Sequence, residues 1–184
     1  MPSSLCDRLP DVAAQHLVAG YVPPPHFAHV SFESYRPDPY YPGQAAAVAG
    51  ARAFVAAPAQ VKRRGWLRKA TPAEMRPGIY LDGGFGVGKT HLLASVWHAT
   101  EGPKAFGTFV EYTHLVGALG FAGAVEALSD RALVCIDEFE LDDPGDTVLM
   151  SSLLMGLTER GVRLAATSNT LPDALGEGRF AADD

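Results

Sequence analysis

The chain has 184 residues, enough for one domain with a substantial core and too few for two. Hydrophobic residues make up 47% and charged residues 20%, an ordinary globular balance, and no apolar run approaches the length that crosses a bilayer. The net charge of −6 is unevenly spread, +4 over residues 1–78 and −10 over residues 79–184, which argues against a core that grips nucleic acid over a broad basic surface.

The N-terminal Met1–Pro10 lacks an apolar signal core, and Cys6 and Cys135 suggest no disulfide framework, so a cytoplasmic location is expected. From Tyr21 to Pro42 the chain is rich in proline and aromatics, which excludes a long helix but argues against pure disorder. An extended arm packed on the main domain follows. Gln44–Ala57 reads as a short alanine-rich helix, and Pro58–Pro77 as a connector whose Lys62, Arg63, Arg64, Arg68 and Lys69 form a solvated basic cluster. Residues 1–77 are therefore an arm, helix and linker, and 78–184 the core. Within the core Ile79–Leu81 is a short buried strand, and Lys89–Ala99 a helix with Leu92, Leu93, Val96 and Trp97 on one face. Thr108–Tyr112 reads as a second strand, Leu115–Leu128 as a helix and Ala132–Ile136 as a third, wholly apolar strand. Val148–Thr158 is a helix and Val162–Thr167 a fourth strand. This alternation predicts an α/β fold with a parallel sheet and helices on both faces.

Three segments carry chemistry. Gly83-Gly84-Phe85-Gly86-Val87-Gly88-Lys89-Thr90 matches the phosphate-loop pattern, between a strand and a helix as that pattern requires. Its glycines let backbone N–H groups turn inward around phosphates, and the helix N-terminus adds a positive dipole end. Lys89 would reach the β- and γ-phosphates of ATP, and the Thr90 hydroxyl would join the shell of a Mg2+ ion. The apolar strand at 132–136 delivers Asp137 and Glu138 at its C-terminal end, where α/β sheets place ligands. Asp137 would hold magnesium, directly or through water, and Glu138 would act as general base on the attacking water. Leu164–Asn169 is an apolar strand with a polar tip. When a strand lies between the phosphate-loop strand and the acidic strand, that tip is near the γ-phosphate; Asn169 suits the role of positioning water, with Ser168 and Thr167 as substitutes.

Together the loop GGFGVGKTHLL, the stretch Cys135–Asp143 with its Asp-Glu-Phe, the Asp146 beyond it and Ala166-Thr167-Ser168-Asn169 resemble the ZapE/AFG-type AAA+ ATPases. The likeness extends to the arm Phe32–Tyr41 with Gln44. The resemblance implies a P-loop NTPase of AAA+ type, an ATP-driven remodeller of protein partners, linked in bacteria to cell division and in mitochondria to protein quality control. It also implies a homo-oligomeric ring in which a neighbour supplies an arginine. Gly178-Arg179-Phe180 is similar to the segment carrying that arginine, so Arg179 is the candidate finger. Where the family usually has Asn-Arg, this chain has Asn169-Thr170. Residues up to Asp184 hold no counterpart of the fifth strand and helical lid that the resemblance implies, so the core reads as truncated.

Other features are weaker. His26 and His29 share a ligand-like spacing, but no cysteine or carboxylate cluster adjoins them. His91 and His98, seven apart on one helix, read as packing residues. Leu119–Gly123 could be a flexible aromatic loop facing a ring's pore, though a glycine-marked helix end is the commoner pattern. A helicase-loader type of nucleic-acid-associated ATPase, whose loop also reads Gly-Lys-Thr-His-Leu, and a nucleotide-switched adaptor are the alternatives. Membrane insertion is not expected, and a nucleic-acid partner is disfavoured by the acidic core.

Overall fold

In the computed structural model, which describes residues 14–57, 77–140 and 144–171, four short strands form one parallel sheet. They are β1 (Gly78–Asp82), β2 (Lys104–Thr108), β3 (Leu133–Asp137) and β4 (Arg163–Ser168), in the order β1-β4-β3-β2. β4, last in sequence, lies between the strand that feeds the phosphate loop and the strand that ends in the acid pair. Every residue of β3 is buried, consistent with its position inside the sheet and its unbroken apolar run.

The sheet is covered on both faces because its side chains alternate. Leu133, Cys135, Ala165 and Leu81 point to one layer, with α2 (Pro42–Ala56) and α3 (Lys89–Ala99) over them. Val134 and Ile136 point to the other, under α1 (Ala14–Ala19), α4 (Phe109–Leu128) and α5 (Pro144–Glu159). This alternation is the period-two geometry of a strand. Among the described residues no helix is long and apolar enough to cross a membrane.

One element differs from the sequence expectation. The second strand is Lys104–Thr108, and Val110–Tyr112, expected within it, lie in the first turn of α4. The reason is a capping box: Glu111 N–H donates to Thr108 Oγ1 at 3.3 Å, and Thr108 N–H donates to the Glu111 carboxylate at 2.6 Å. The aromatic and β-branched residues after Thr108, which favour a strand in isolation, instead enter the core: Phe109 and Tyr112 are buried, and the Tyr112 hydroxyl donates to Cys135 O at 3.0 Å. Prolines set two further boundaries. α2 starts at Pro42 and α5 at Pro144, earlier than Gln44 and Val148, because a proline at the first helical position costs no hydrogen bond. At Gly120 the backbone leaves helical geometry (φ 69°, ψ 166°), which breaks α4 in the Leu119–Gly123 stretch.

The aromatic segment does pack on the core, through turns and a 3-10 turn at Pro25–Phe27 rather than one extended run. Phe32 is buried there, with Phe27, Val30 and Tyr35 against the same layer as α2 and α3. Phe106 N–H, on the edge strand β2, donates to Tyr21 O at 2.8 Å, so the segment also covers a sheet edge. His91 and His98 fasten it: His91 Nε2 is hydrogen-bonded to Ser31 O (3.1 Å) and His98 Nε2 to Phe27 O (2.8 Å). Seven residues is two helical turns, so both rings leave α3 on the same side.

Candidate active site

The phosphate loop connects β1 to α3, and its conformation depends on glycine where the chain turns hardest. Gly86 and Gly88 have φ of 75° and 89°, in the left-handed region that favours residues without a Cβ. Gly88 caps α3, and a Cβ there would stand 2.6 Å from the ring of Tyr35. Tyr35 also donates its hydroxyl to Val87 O at 2.6 Å and lies edge-on to His91. Burial raises the pKa of this phenol, which keeps it a hydrogen-bond donor. The N-terminal segment thus braces the phosphate loop from outside. Phe85, at the loop's tip, is 86% exposed.

Lys89 reaches back over its own loop. Its Nζ donates to Gly83 O (2.7 Å), Gly84 O (2.8 Å) and Asn169 Oδ1 (2.9 Å). A residue at the start of α3 and one at the tip of β4 are therefore in direct contact, as the interposed strand requires. Thr90, next on α3, donates its hydroxyl to Asp137 Oδ1 at 3.2 Å. Asp137 is only 6% exposed at the end of β3, and the Thr167 hydroxyl of β4 donates to that same oxygen. A carboxylate beside a hydroxyl is a hard oxygen donor pair of the kind magnesium takes, so Thr90 and Asp137 fit the ion expected from the sequence.

Glu138 is the one described non-glycine residue with positive φ, 56°. That turn leaves Glu138 exposed and sends the next residue, Phe139, into the core edge-on to Phe109. Thr167 holds the turn twice: its hydroxyl accepts from Glu138 N–H (3.1 Å) and its carbonyl accepts from Phe139 N–H (2.7 Å). A left-handed non-glycine residue costs about 1–2 kcal/mol, so the surrounding bonds must outweigh it. Lys89, Thr90, Asp137, Glu138, Thr167 and Asn169 all line one cleft of about 290 Å³ together with the phosphate loop.

Glu140, just beyond, binds the tip of β4. Its carboxylate accepts from Asn169 N–H (2.7 Å), Ser168 Oγ (3.0 Å) and Thr170 Oγ1 (2.8 Å). Burial alone would raise its pKa, but the hydrogen bonds from Asn169, Thr170 and Ser168 outweigh that and hold it below the usual glutamate value. Tyr80 of β1 donates its hydroxyl to Thr170 O at 2.8 Å. Sequence alone singled out neither Tyr35 nor Glu140 for a role, and offered Thr167 only as a substitute sensor. The available signals were a tyrosine amid prolines and a carboxylate two residues past the acid pair, and neither names its partner. Arg179, Asp142 and Asp143 lie outside the described residues, as does the side chain of Asp146.

A glycine loop between β1 and α3, an acid pair at the end of β3 and a polar tip at the end of the intervening β4 define a P-loop ATPase of AAA+ type. The chain belongs to the AFG1-like ATPase family, whose model matches residues 12–184. It is similar to cell division protein ZapE of Escherichia coli K12, 34% identical over 118 residues, covering 58% of this chain and 31% of that protein. It is also similar to lactation elevated protein 1 homolog B of Danio rerio, 28% identical over 120 residues, covering 53% and 24%. The matched stretch thus spans less than a third of these curated relatives. Among solved structures, AMPPCP-bound DnaA of Aquifex aeolicus superposes with a TM-score of 0.62 at 13% identity, covering 83% of this chain and 45% of that one. DnaI does so with 0.60 at 18%, covering 87% and 82%. These likenesses are of fold.

Proposed function

We propose that this chain binds ATP with magnesium at the cleft and hydrolyses it by water attack, driving work on a protein partner. The observation that carries this reading is the convergence of Lys89, Thr90, Asp137, Glu138 and Asn169, from α3 and the ends of β3 and β4, on one cleft at the phosphate loop. Lys89 would exchange its three present acceptors for β- and γ-phosphate oxygens. Thr90 and Asp137 would hold the magnesium ion, which when bound neutralises charge on the phosphates. Glu138 would take the proton of the attacking water, and the Asn169 amide would orient that water against the γ-phosphate. Arg179 of an adjoining copy in a ring is our candidate for the charge that stabilises the transferring phosphoryl group.

The setting we propose is the cytoplasm; work on a protein partner, in a bacterium a component of cell division, is supported by the name of the Escherichia coli relative. The decisive experiment is steady-state phosphate release by wild type beside Lys89→Ala and Glu138→Gln. Lys89→Ala should lose ATP binding, whereas Glu138→Gln should bind ATP and fail to turn it over. Equal release from all three would refute the assignment. A rate that rises with protein concentration and is abolished by Arg179→Ala would support the shared-site ring.

A further inference from the structure

The sheet order brings the ends of β3 and β4 side by side, and the two ends are tied together at alternate residues. Thr167 of β4 fixes the backbone N–H of Glu138, and Glu140 after β3 fixes the backbone N–H of Asn169. One carboxylate takes hydrogen bonds from three consecutive residues, Ser168, Asn169 and Thr170. Its strongest hold on Asn169 is through the main-chain N–H, at 2.7 Å. The Asn169 side-chain amide is left to face the cleft, where its oxygen meets Lys89 Nζ at 2.9 Å.

We propose that Glu140 is a positioning residue for hydrolysis, holding the tip of β4 so that the Asn169 amide stays aimed at the γ-phosphate while Lys89 changes partners; this rests on the ATPase reading above. Without the carboxylate, Asn169 N–H and the Ser168 and Thr170 hydroxyls lose their common acceptor. The tip then keeps the bond from Thr170 N–H to Ser168 Oγ (2.9 Å) and the bond from Tyr80 to Thr170 O. Those bonds hold residues on either side of Asn169 and not Asn169 itself. Among the described residues no hydrogen bond or ion pair joins Glu140 to Lys89, Thr90 or Asp137, so its loss falls on orientation of the water rather than on capture of the phosphates. Such an interaction acts on kcat and leaves ground-state binding alone.

The test compares wild type, Glu140→Ala, Glu140→Gln and Thr170→Val in ATP turnover and in binding of a fluorescent ATP analogue, with Glu138→Gln as the inactive reference. Glu140→Ala should lower kcat by about tenfold or more while affinity for the analogue stays within about twofold. Glu140→Gln, whose amide oxygen still accepts from Asn169 N–H and whose NH2 can donate to the Thr170 hydroxyl, should restore most of kcat. Thr170→Val, which removes one of three bonds, should fall between. Hydrogen–deuterium exchange at the Asn169 amide should quicken in Glu140→Ala. Unchanged kcat in Glu140→Ala, or kcat and affinity falling together without recovery in Glu140→Gln, would overturn the inference and spare the ATPase reading. Absence of turnover in wild type would overturn both.

Discussion

Replacing Gly88 with alanine separates two demands that the structure places on one atom. The residue has φ 89° and ψ 26°, so any Cβ meets a backbone penalty of about 1–2 kcal/mol. That Cβ would also lie 2.6 Å from Tyr35 Cε2, 3.4 Å from Cδ2 and 3.5 Å from Cζ. Carbon atoms prefer about 3.5–4.0 Å, so the ring or the loop must move by roughly 1 Å. The ring is not free to do so, being tied by its hydroxyl to Val87 O and set against His91. Forcing a packed group aside typically costs about 1–3 kcal/mol, for a total near 2–5 kcal/mol. Urea unfolding of wild type, Gly88→Ala, Tyr35→Ala and the double variant measures both parts. In the Tyr35→Ala background the Gly88 substitution should cost only the backbone part, which leaves a coupling of about 1–3 kcal/mol. Binding of a fluorescent ATP analogue should weaken in every Gly88→Ala protein. An equal cost in the two backgrounds, to within about 0.5 kcal/mol, would refute the idea that Tyr35 braces the loop.

Thr167→Val keeps the buried shape but leaves Glu138 N–H without its acceptor and takes one donor from Asp137. Unfolding should show a loss of about 1–3 kcal/mol, and ATP turnover should drop more than ATP affinity. Thr108→Ala removes the cap of α4 and should cost about 0.5–2 kcal/mol by the same measurement, with little change in turnover per folded molecule. The Glu140 carboxyl is held below its ordinary value of 4.5, so its bonds contribute stability above that pH and lose it as pH falls through the lower folded value. Wild type should therefore lose stability on acidification more steeply than Glu140→Gln, and urea midpoints followed from pH 7 to pH 3 test this. Parallel curves would show that the clamp does not titrate.

Legibility in the sequence followed how local each cause is. β1, β3 and β4 were readable because apolar runs bounded by glycine and acid leave few alternatives, whereas their order rested on the general pattern of P-loop ATPases in which water attacks. The second strand was misplaced because Thr108–Tyr112 has strand-like residues, whereas the capping box from Glu111 decides for helix. The α1 segment had no periodic stretch long enough to reveal it. In the candidate site, Lys89, Thr90, Asp137 and Glu138 could be named from motif spacing and Asn169 from a polar strand tip, and the structure brings the five to one cleft. Tyr35, Glu140 and the bracing role of Thr167 could not be named, since each acts on a partner brought near only by folding. His91 and His98 were read as packing residues; the structure has them hydrogen-bonded to the carbonyls of Ser31 and Phe27, in a segment whose course the sequence did not disclose.

The position of β4 also sets when the site can exist. β1 and β3 do not pair with each other; Gly78 pairs with Leu164, and Leu133 with Arg163, so their joining waits for residues that follow both in the chain. Until β4 is in place, no hydrogen-bonded ladder joins the strand of the phosphate loop to the strand of the acid pair. A nascent chain that ends after β3 already carries every residue of the glycine loop and the acid pair, yet neither the Lys89–Asn169 contact nor the Thr167 bonds can form. On the reading proposed above, competence for ATP therefore requires β4, and a nucleotide added during synthesis would stabilise only chains that have passed that point.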